Sequence, residues 1–490
     1  MGQVKMRRTV KNVKTLVKTG GWGIAVFGGL CFTMAFFSAS QKGMFISILL
    51  LLSGGLCFAV AKFFGHMNYL LFLLSFFSFM LGRMTADFLA YGTIGLPFSE
   101  NTANHMLLSI ALSLAALQTG FCFSAYILRK AKRYVVWSKK RLRGDGFRAY
   151  NHRLRNYGKS LFFLSAFFVV AVNLERFVFI QTHSYVELYT GFISRIPRVL
   201  QIIGNMYLAS FSVYLATCPK KKECVFPICV FLFITGSVLL TGDRGEFIIN
   251  TAMVLVYVFW RQNRDGEVWI GSEVIICGII ALPFMIAGLS FFVYLREGVD
   301  IGELSLLSQF TRFFRVTGKT VDILGYGKDY AGQLPRSFYS LGELIDYCIY
   351  NPITRAVLDI EKPKAHTVEY AQTMRSFAHS ISFYITPDTY LNGHGLGSAY
   401  VAEVYYDFGY VGIVVCNFIY GYFMASFYYI KKERPMHIAA CLIAMRIMFY
   451  IPRGAAIQPV TYVLNITTIF ALGCIWFAAR FVRIACLRKG

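Results

Sequence analysis

Asn392–Gly412, NGHGLGSAYVAEVYYDFGYVG, is where the two kinds of sequence in this chain meet. Before it runs a long polar segment, and after it the chain is apolar again. Gly393, Gly395 and Gly397 form a loop that passes straight into a helix carrying Glu403 and Asp407. That helix then continues as a membrane span. The junction predicts one wall of a site at a membrane surface, with the remaining helices arranged to hold it.

Outward from this point, apolar sequence dominates. The chain has 490 residues, 56% hydrophobic and only 15% charged. A soluble core cannot hide so much apolar surface. Runs of about 17–25 apolar residues recur, each long enough to cross a bilayer core of roughly 30 Å. The expected fold class is an all-α polytopic membrane protein, one integral membrane domain over 1–490. Spans are predicted at 21–38, 44–61, 67–82, 105–128, 160–180, 199–217, 225–241, 247–260, 269–294, 404–430, 436–450 and 460–481, twelve in all. A membrane β-barrel would instead show short alternating segments.

The formal charge of +24 is no nucleic-acid signature, because the basic residues sit in short loops between spans, where they set orientation. The loop 129–159 holds twelve Lys/Arg against the single acid Asp145. With that loop cytoplasmic, the N-terminus, Lys220–Lys222, Arg261/Arg264, Lys431–Arg434 and the Arg483/Arg488/Lys489 tail become cytoplasmic too. The basic start lacks a small-residue cleavage site and is expected to be retained. Alternation then puts Arg83–Asn104, Gln181–Arg198, the turn TGDRGE (Thr241–Glu246), the large loop 295–403 and Ile451–Pro459 outside. Ten basic and twelve acidic residues nearly balance in the large loop. Its segments LSLLSQFTRFFRV and FYSLGELIDYCIY predict amphipathic helices lying on the bundle. Cys348 is the only cysteine of that loop, and no Cys/His metal spacing occurs anywhere, so neither a disulfide within the loop nor a metal or cofactor is expected.

The chemistry is expected on the outer side. A positive-inside protein should carry few arginines there, yet Arg244, Arg296, Arg312, Arg336, Arg446 and Arg453 are among those assigned to it. Arg446 lies within the apolar run CLIAMRIMFY, and a charge at such depth faces a polar cavity or a partner. Arg453 follows seven residues later, close to two helical turns, which predicts that both point into one cavity. Two roles fit these side chains: structural ion pairs with Asp243, Glu246 or Glu297, or an anion site, since guanidinium forks match phosphate oxygens. The run GHGLGS is no dinucleotide fingerprint, for no strand precedes it and the spacing differs. Gly395 and Gly397 serve either a plain turn or a helix N-terminus that offers N–H groups to an anion. Glu403 and Asp407, four apart, share a helix face. They either complement the positive helix end or include a general base. His366, Glu369, His379 and His394 are the other titratable residues nearby. Tyr406 and the neighbouring aromatics suit an interfacial belt or stacking on sugar rings.

Three motifs together resemble a known family: TGDRGEF between two spans, AHSISFYITPDTYLNGHGLGSAYVAEVYYDFGYVGIVVCNFIYGY after a long outer loop, and YIPRG near the end. The combination resembles the O-antigen polysaccharide polymerases of the Wzy type, which belong with the O-antigen ligases in a wider group of membrane sugar transferases. The resemblance implies a helical, metal-independent, GT-C-like fold. It implies a glycosyltransferase of the cell (inner) membrane that joins oligosaccharide repeat units carried on undecaprenyl pyrophosphate into O-antigen or capsule at the outer leaflet. Arg244, Arg296 and other outer arginines would hold the pyrophosphate, and Ala378-His379-Ser380 matches the loop histidine of the ligases. The catalytic base would be His379, Glu403 or Asp407. Implied partners are the lipid-linked oligosaccharide, membrane lipids, a chain-length regulator and a flippase, with no nucleic acid. A ligase moving the glycan to another acceptor, and a transporter or flippase for an anionic substrate, are the competing functions. A transporter should show repeat-related halves with helices broken at mid-membrane.

Overall fold

The computed structural model describes residues 2–135, 145–183, 187–188, 191–241, 243–297 and 306–481. Within those residues there is no strand, and the principal helices are α1 (Gly2–Phe37), α2 (Gln41–Ala61), α3 (Met67–Tyr91), α4 (Glu100–Val135), α5 (Asp145–Ile180), α6 (Arg198–Ala216), α7 (Lys221–Thr241), α8 (Arg244–Asp265) and α9 (Ser272–Glu297). The segment after α9 forms short helices: α10 (Leu306–Thr317), α11 (Asp322–Asp329), α12 (Tyr339–Tyr350), α13 (Pro352–Leu358), α14 (Val368–Thr373), α15 (Phe377–Ile385) and α16 (Pro387–Leu391). The chain finishes with α17 (Tyr400–Phe427), α18 (Pro435–Met448), α19 (Gln458–Leu464) and α20 (Ile466–Phe481). The side chain of Arg296, residues 136–144 of the basic loop and the Arg483/Arg488/Lys489 tail lie outside the described residues.

Among the described residues, eight helices (α1–α7 and α17) are long and apolar enough to cross a membrane, and α19 with α20, bent by 49°, makes a ninth if counted as one span. Of the twelve spans expected, that at 269–294 coincides with α9, a 26-residue apolar helix whose side chains are described only in part and which is left uncounted, and two coincide with helices, α8 and α18, that do not qualify by length and composition. The helix α8 carries charge at both ends, Arg244 and Glu246 at one and Arg261, Arg264 and Asp265 at the other. The helix α18 has 14 residues. At 1.5 Å per residue, 14 residues reach about 21 Å, short of a bilayer core.

The centre of the bundle is the pair α4 and α17, which run parallel. His105 meets Tyr405 and Tyr410 near one end, Gly120 meets Phe418 further along, and Tyr429 bonds the carbonyl of Ala125 near the other. A Cβ on Gly120 would come within 2.1 Å of the Phe418 carbonyl oxygen, and one on Gly421 within 2.1 Å of that of Leu117. Small residues are what let two membrane helices approach this closely.

The basic loops collect at the far end of this pair. Arg155 bonds Glu223, Arg264 bonds the carbonyl of Ile430, and Lys432 pairs with Asp265. The long polar segment folds over the opposite end. Arg83 pairs with Asp322, Arg315 with Asp87 at 2.9 Å, and Thr102 donates to Asp329 at 2.6 Å, fastening α10 and α11 to the ends of α3 and α4. Arg83 and Arg315 are therefore clasps between loop and bundle.

Candidate active site

The segment from α12 to α19 encloses a cavity of about 520 Å³ at this end. One wall is α12, whose Tyr339, Glu343, Asp346 and Tyr347 face inward. These positions are four, three and one apart, one stripe of a helix. The approach of α12 depends on Gly342, where a Cβ would sit 2.0 Å from the carbonyl oxygen of Arg375. Asp346 accepts from the Arg375 backbone N–H at 2.7 Å and pairs with its guanidinium at 3.0 Å, locking that wall to the start of α15. His379 lies there, one turn into α15.

The second wall is the glycine run and the first turn of α17. Glu403 is 1% exposed. Its carboxylate accepts from the Ser398 hydroxyl at 2.6 Å and from the Ala456 N–H at 2.8 Å, tying the glycine run to the YIPRG loop. Gly397 has φ +87°, in the left-handed region, and the Arg453 side chain packs beside it. Glycine at 397 thus meets the demand of its backbone conformation, while a Cβ there would make only ordinary contact with Arg453. Gly395 sits against Ser382, whose hydroxyl accepts the neighbouring Leu396 N–H at 2.9 Å.

Charge is unevenly settled inside. Arg375 is paired, but Lys362 and Arg453 have no carboxylate partner within 4 Å among the described residues. Burial pushes the Glu343 carboxyl up to about 7, against the pull of Lys362. Its Oε2 is buried without a hydrogen-bond partner among the described residues, and so is Oε1 of Gln458 on the facing wall. Burial, helped by His366 and Lys362, lowers His379 to about 4, so its imidazole is neutral at pH 7. Its Nδ1 shares a hydrogen bond of 3.0 Å with the Tyr390 hydroxyl.

Of the residues expected to act together, the structure brings His379, Glu403, Arg453 and Gly397 to one cavity. The others lie elsewhere. Asp407 accepts from the backbone N–H groups of Tyr339 (3.1 Å) and Ser340 (2.7 Å), and from the Ser340 hydroxyl (2.5 Å), which secures the first turn of α12. Arg446 does not share a cavity with Arg453, because α18 ends at Met448 and two-turn spacing does not carry across the break. It pairs instead with Glu246 and Asn250 and lies behind the ring of Tyr462. Arg244 stands 5.4 Å over the ring of Phe313, and Arg312 is on the same helix, α10. Tyr406 donates to the carbonyl of Pro335 at 3.4 Å beside Arg336, outside the lining. Glu343 and Lys362 were missed by sequence reasoning. The Tyr339/Glu343/Asp346/Tyr347 stripe was available as a signal, but only the fold shows that it faces His379.

The family model of O-antigen polysaccharide polymerase Wzy matches residues 23–483. The chain belongs to this family. No curated protein and no solved structure matches it significantly. Membership makes this an integral membrane protein of O-antigen polymerisation, with glycosyltransferase-type polymerase activity.

Proposed function

We propose that the cavity between α12 and α19 joins oligosaccharide repeat units carried on undecaprenyl pyrophosphate, extending O-antigen or capsule at the outer leaflet of the cytoplasmic membrane. One observation carries this reading: two cations without a carboxylate within 4 Å among the described residues, Arg453 and Lys362, share a cavity with two proton acceptors, Glu343 and His379. The cations take the diphosphate, Arg453 as a two-pronged donor and Lys362 as a point charge. The acceptor hydroxyl attacks the anomeric carbon as the bond to the diphosphate oxygen breaks. The diphosphate leaves with the electron pair, and the cations stabilise the charge that develops on it. Glu343 takes the hydroxyl proton, since a base is most effective with a pKa near the working pH. The orphaned oxygens of Glu343 and Gln458 are acceptors that sugar hydroxyls would satisfy. His379 donates or accepts toward the sugar through Nε2 while Tyr390 holds Nδ1. Glu403 is a positioning residue that holds Arg453's loop against the glycine run.

The same reading places the basic end of the bundle in the cytoplasm, with both termini, and counts α8, α9 and α18 as spans of a twelve-helix, GT-C-like membrane domain. A flippase delivering the lipid-linked unit and a chain-length regulator are its natural partners. Glycan ladders from cells producing Arg453 variants test it. Losing charge-assisted bonds worth roughly 1.5–3 kcal/mol each should slow chain growth by about tenfold to several hundredfold. Arg453→Ala at normal membrane levels should leave glycan of single repeats, and Arg453→Lys should be strongly impaired. A full-length ladder from Arg453→Ala would remove the diphosphate assignment.

A further inference from the structure

A second cavity, of about 650 Å³, opens at the far end of the bundle, where α1, α2 and α4 meet. Its lining includes Lys130 and Tyr126 of α4, and these follow Ala125, which is at the end of the α4–α17 pair remote from Glu403. It is therefore separate from the cavity already described. Three lysines from three elements line it: Lys18 of α1, half-buried, and Lys62 just after α2 and Lys130 of α4, both exposed. No Asp or Glu lines it, and none of the three lysines is ion-paired among the described residues. The floor is apolar and aromatic. Lys18 Nζ stands 5.8 Å over the Phe58 ring, which stacks on the buried imidazole of His66. Burial, with Lys18 adding repulsion, lowers His66 to about 4, so the floor carries no compensating or additional charge at neutral pH.

Lysines that merely flank a span extend separately into water, and their mutual repulsion is relieved by solvent. Here three of them line one cavity over an apolar floor, so a single anion seated there can meet several of them at once. Trp22 stands at the cavity edge, and from it Val26, Leu30 and Met34 continue along α1 at four-residue spacing, all exposed. The site thus offers positive charge, an interfacial Trp and Tyr, and an apolar track leading into the bilayer. A ligand that uses all three is an amphiphile with an anionic head. Basic pockets between membrane helices hold lipid headgroups by this combination.

We propose that the Lys18/Lys62/Lys130 cavity binds the phosphate headgroup of an anionic phospholipid, with its acyl chains along the Trp22–Met34 stripe. The purified full chain, stripped of lipid in neutral detergent, tests this by native mass spectrometry with added phosphatidylglycerol or phosphatidylcholine. Phosphatidylglycerol should be retained at least about tenfold better, since each lysine near an anionic head contributes about fivefold. The triple variant Lys18→Gln/Lys62→Gln/Lys130→Gln should lose on the order of a hundredfold. A control with the same charge removed elsewhere on that face, Lys220→Gln/Lys222→Gln/Lys431→Gln, should lose little. Equal retention of the two lipids by the wild-type chain overturns the proposal without reliance on any variant. Equal loss in the control overturns it as well, because binding would then follow overall charge. Soluble glycerol 1-phosphate provides the last arm. If it displaces bound phosphatidylglycerol as readily as the lipid itself does, the ligand is a free phosphate ester and the lipid assignment fails.

Discussion

Two side chains in the first cavity separate by their response to pH. Glu343, pushed up to about 7, is half ionised near neutrality, whereas His379, lowered to about 4, is neutral throughout the range in which cells grow. A carboxylate acting as base must be ionised, so chain growth should rise with pH through about 7 and level off above it. Measured in membranes at fixed substrate, this rise should vanish in Glu343→Gln along with most of the rate. His379→Ala should slow the reaction and leave the midpoint where it was. The opposite pattern, with the midpoint lost in His379→Ala and kept in Glu343→Gln, would exchange the two roles. Asp407 belongs to a different class, since its carboxylate caps the start of α12. Asp407→Asn weakens a cap worth about 0.5–2 kcal/mol. The expected result is less folded protein and an unchanged rate per molecule.

At the scale of elements, α17 decides whether the site forms. It is a membrane helix interrupted at Gly409, where φ is +62° and ψ −154°. Only glycine adopts that conformation cheaply, and other residues there cost about 1–3 kcal/mol. A Cβ at 409 meets nothing within 4 Å, so any effect of Gly409→Ala comes from the backbone and not from a clash. Relieving the strain would swing the Tyr400–Phe408 turns and move Glu403 away from Ala456. Gly409→Ala should therefore lose more activity than folded protein. Gly236→Ala, inside α7 and also without a neighbour, should lose neither. Chain length on a glycan gel, divided by the amount of inserted protein, makes the comparison. The Gly120 and Gly421 contacts act differently. Gly421→Leu would drive side-chain atoms into the α4 backbone, and the fall should be in the yield of monodisperse protein.

For the whole molecule, the two ends of the bundle differ in charge and in content. One end collects Arg155, Arg264 and Lys432 with the lysine-lined cavity, and the other carries the helices α10–α16 and the proposed transfer site. Excess Lys/Arg marks the cytoplasmic end of a membrane protein. In a cysteine-free background, restored Cys348, which is exposed on α12, should react with an impermeant maleimide added to intact cells, as should Val357→Cys on α13. Glu267→Cys, exposed after α8 at the basic end, should react only after permeabilisation. Labelling of Glu267→Cys from outside would invert the molecule and place the transfer cavity in the cytoplasm.

Composition and periodicity alone determined that this is a helical membrane protein, because a bilayer imposes its thickness on apolar runs and its charge asymmetry on loops. The short motifs, read with the family resemblance, also singled out the Asn392–Gly412 junction and named His379, Glu403 and Arg453 among the candidates, which the structure brings to one cavity. They did not show which polar residues meet. Arg446 and Arg453 are seven residues apart and point to different places, since a helix ends between them. Glu403 and Asp407 share a helix but hold two different segments, Ala456 and Ser340. Glu343 and His379 stand 36 positions apart in the chain and line one cavity. Such encounters are set by how α12 folds back over α17, made possible where Gly342 admits the backbone of Arg375. Side-chain period reports which face a residue occupies, and only packing decides what that face confronts.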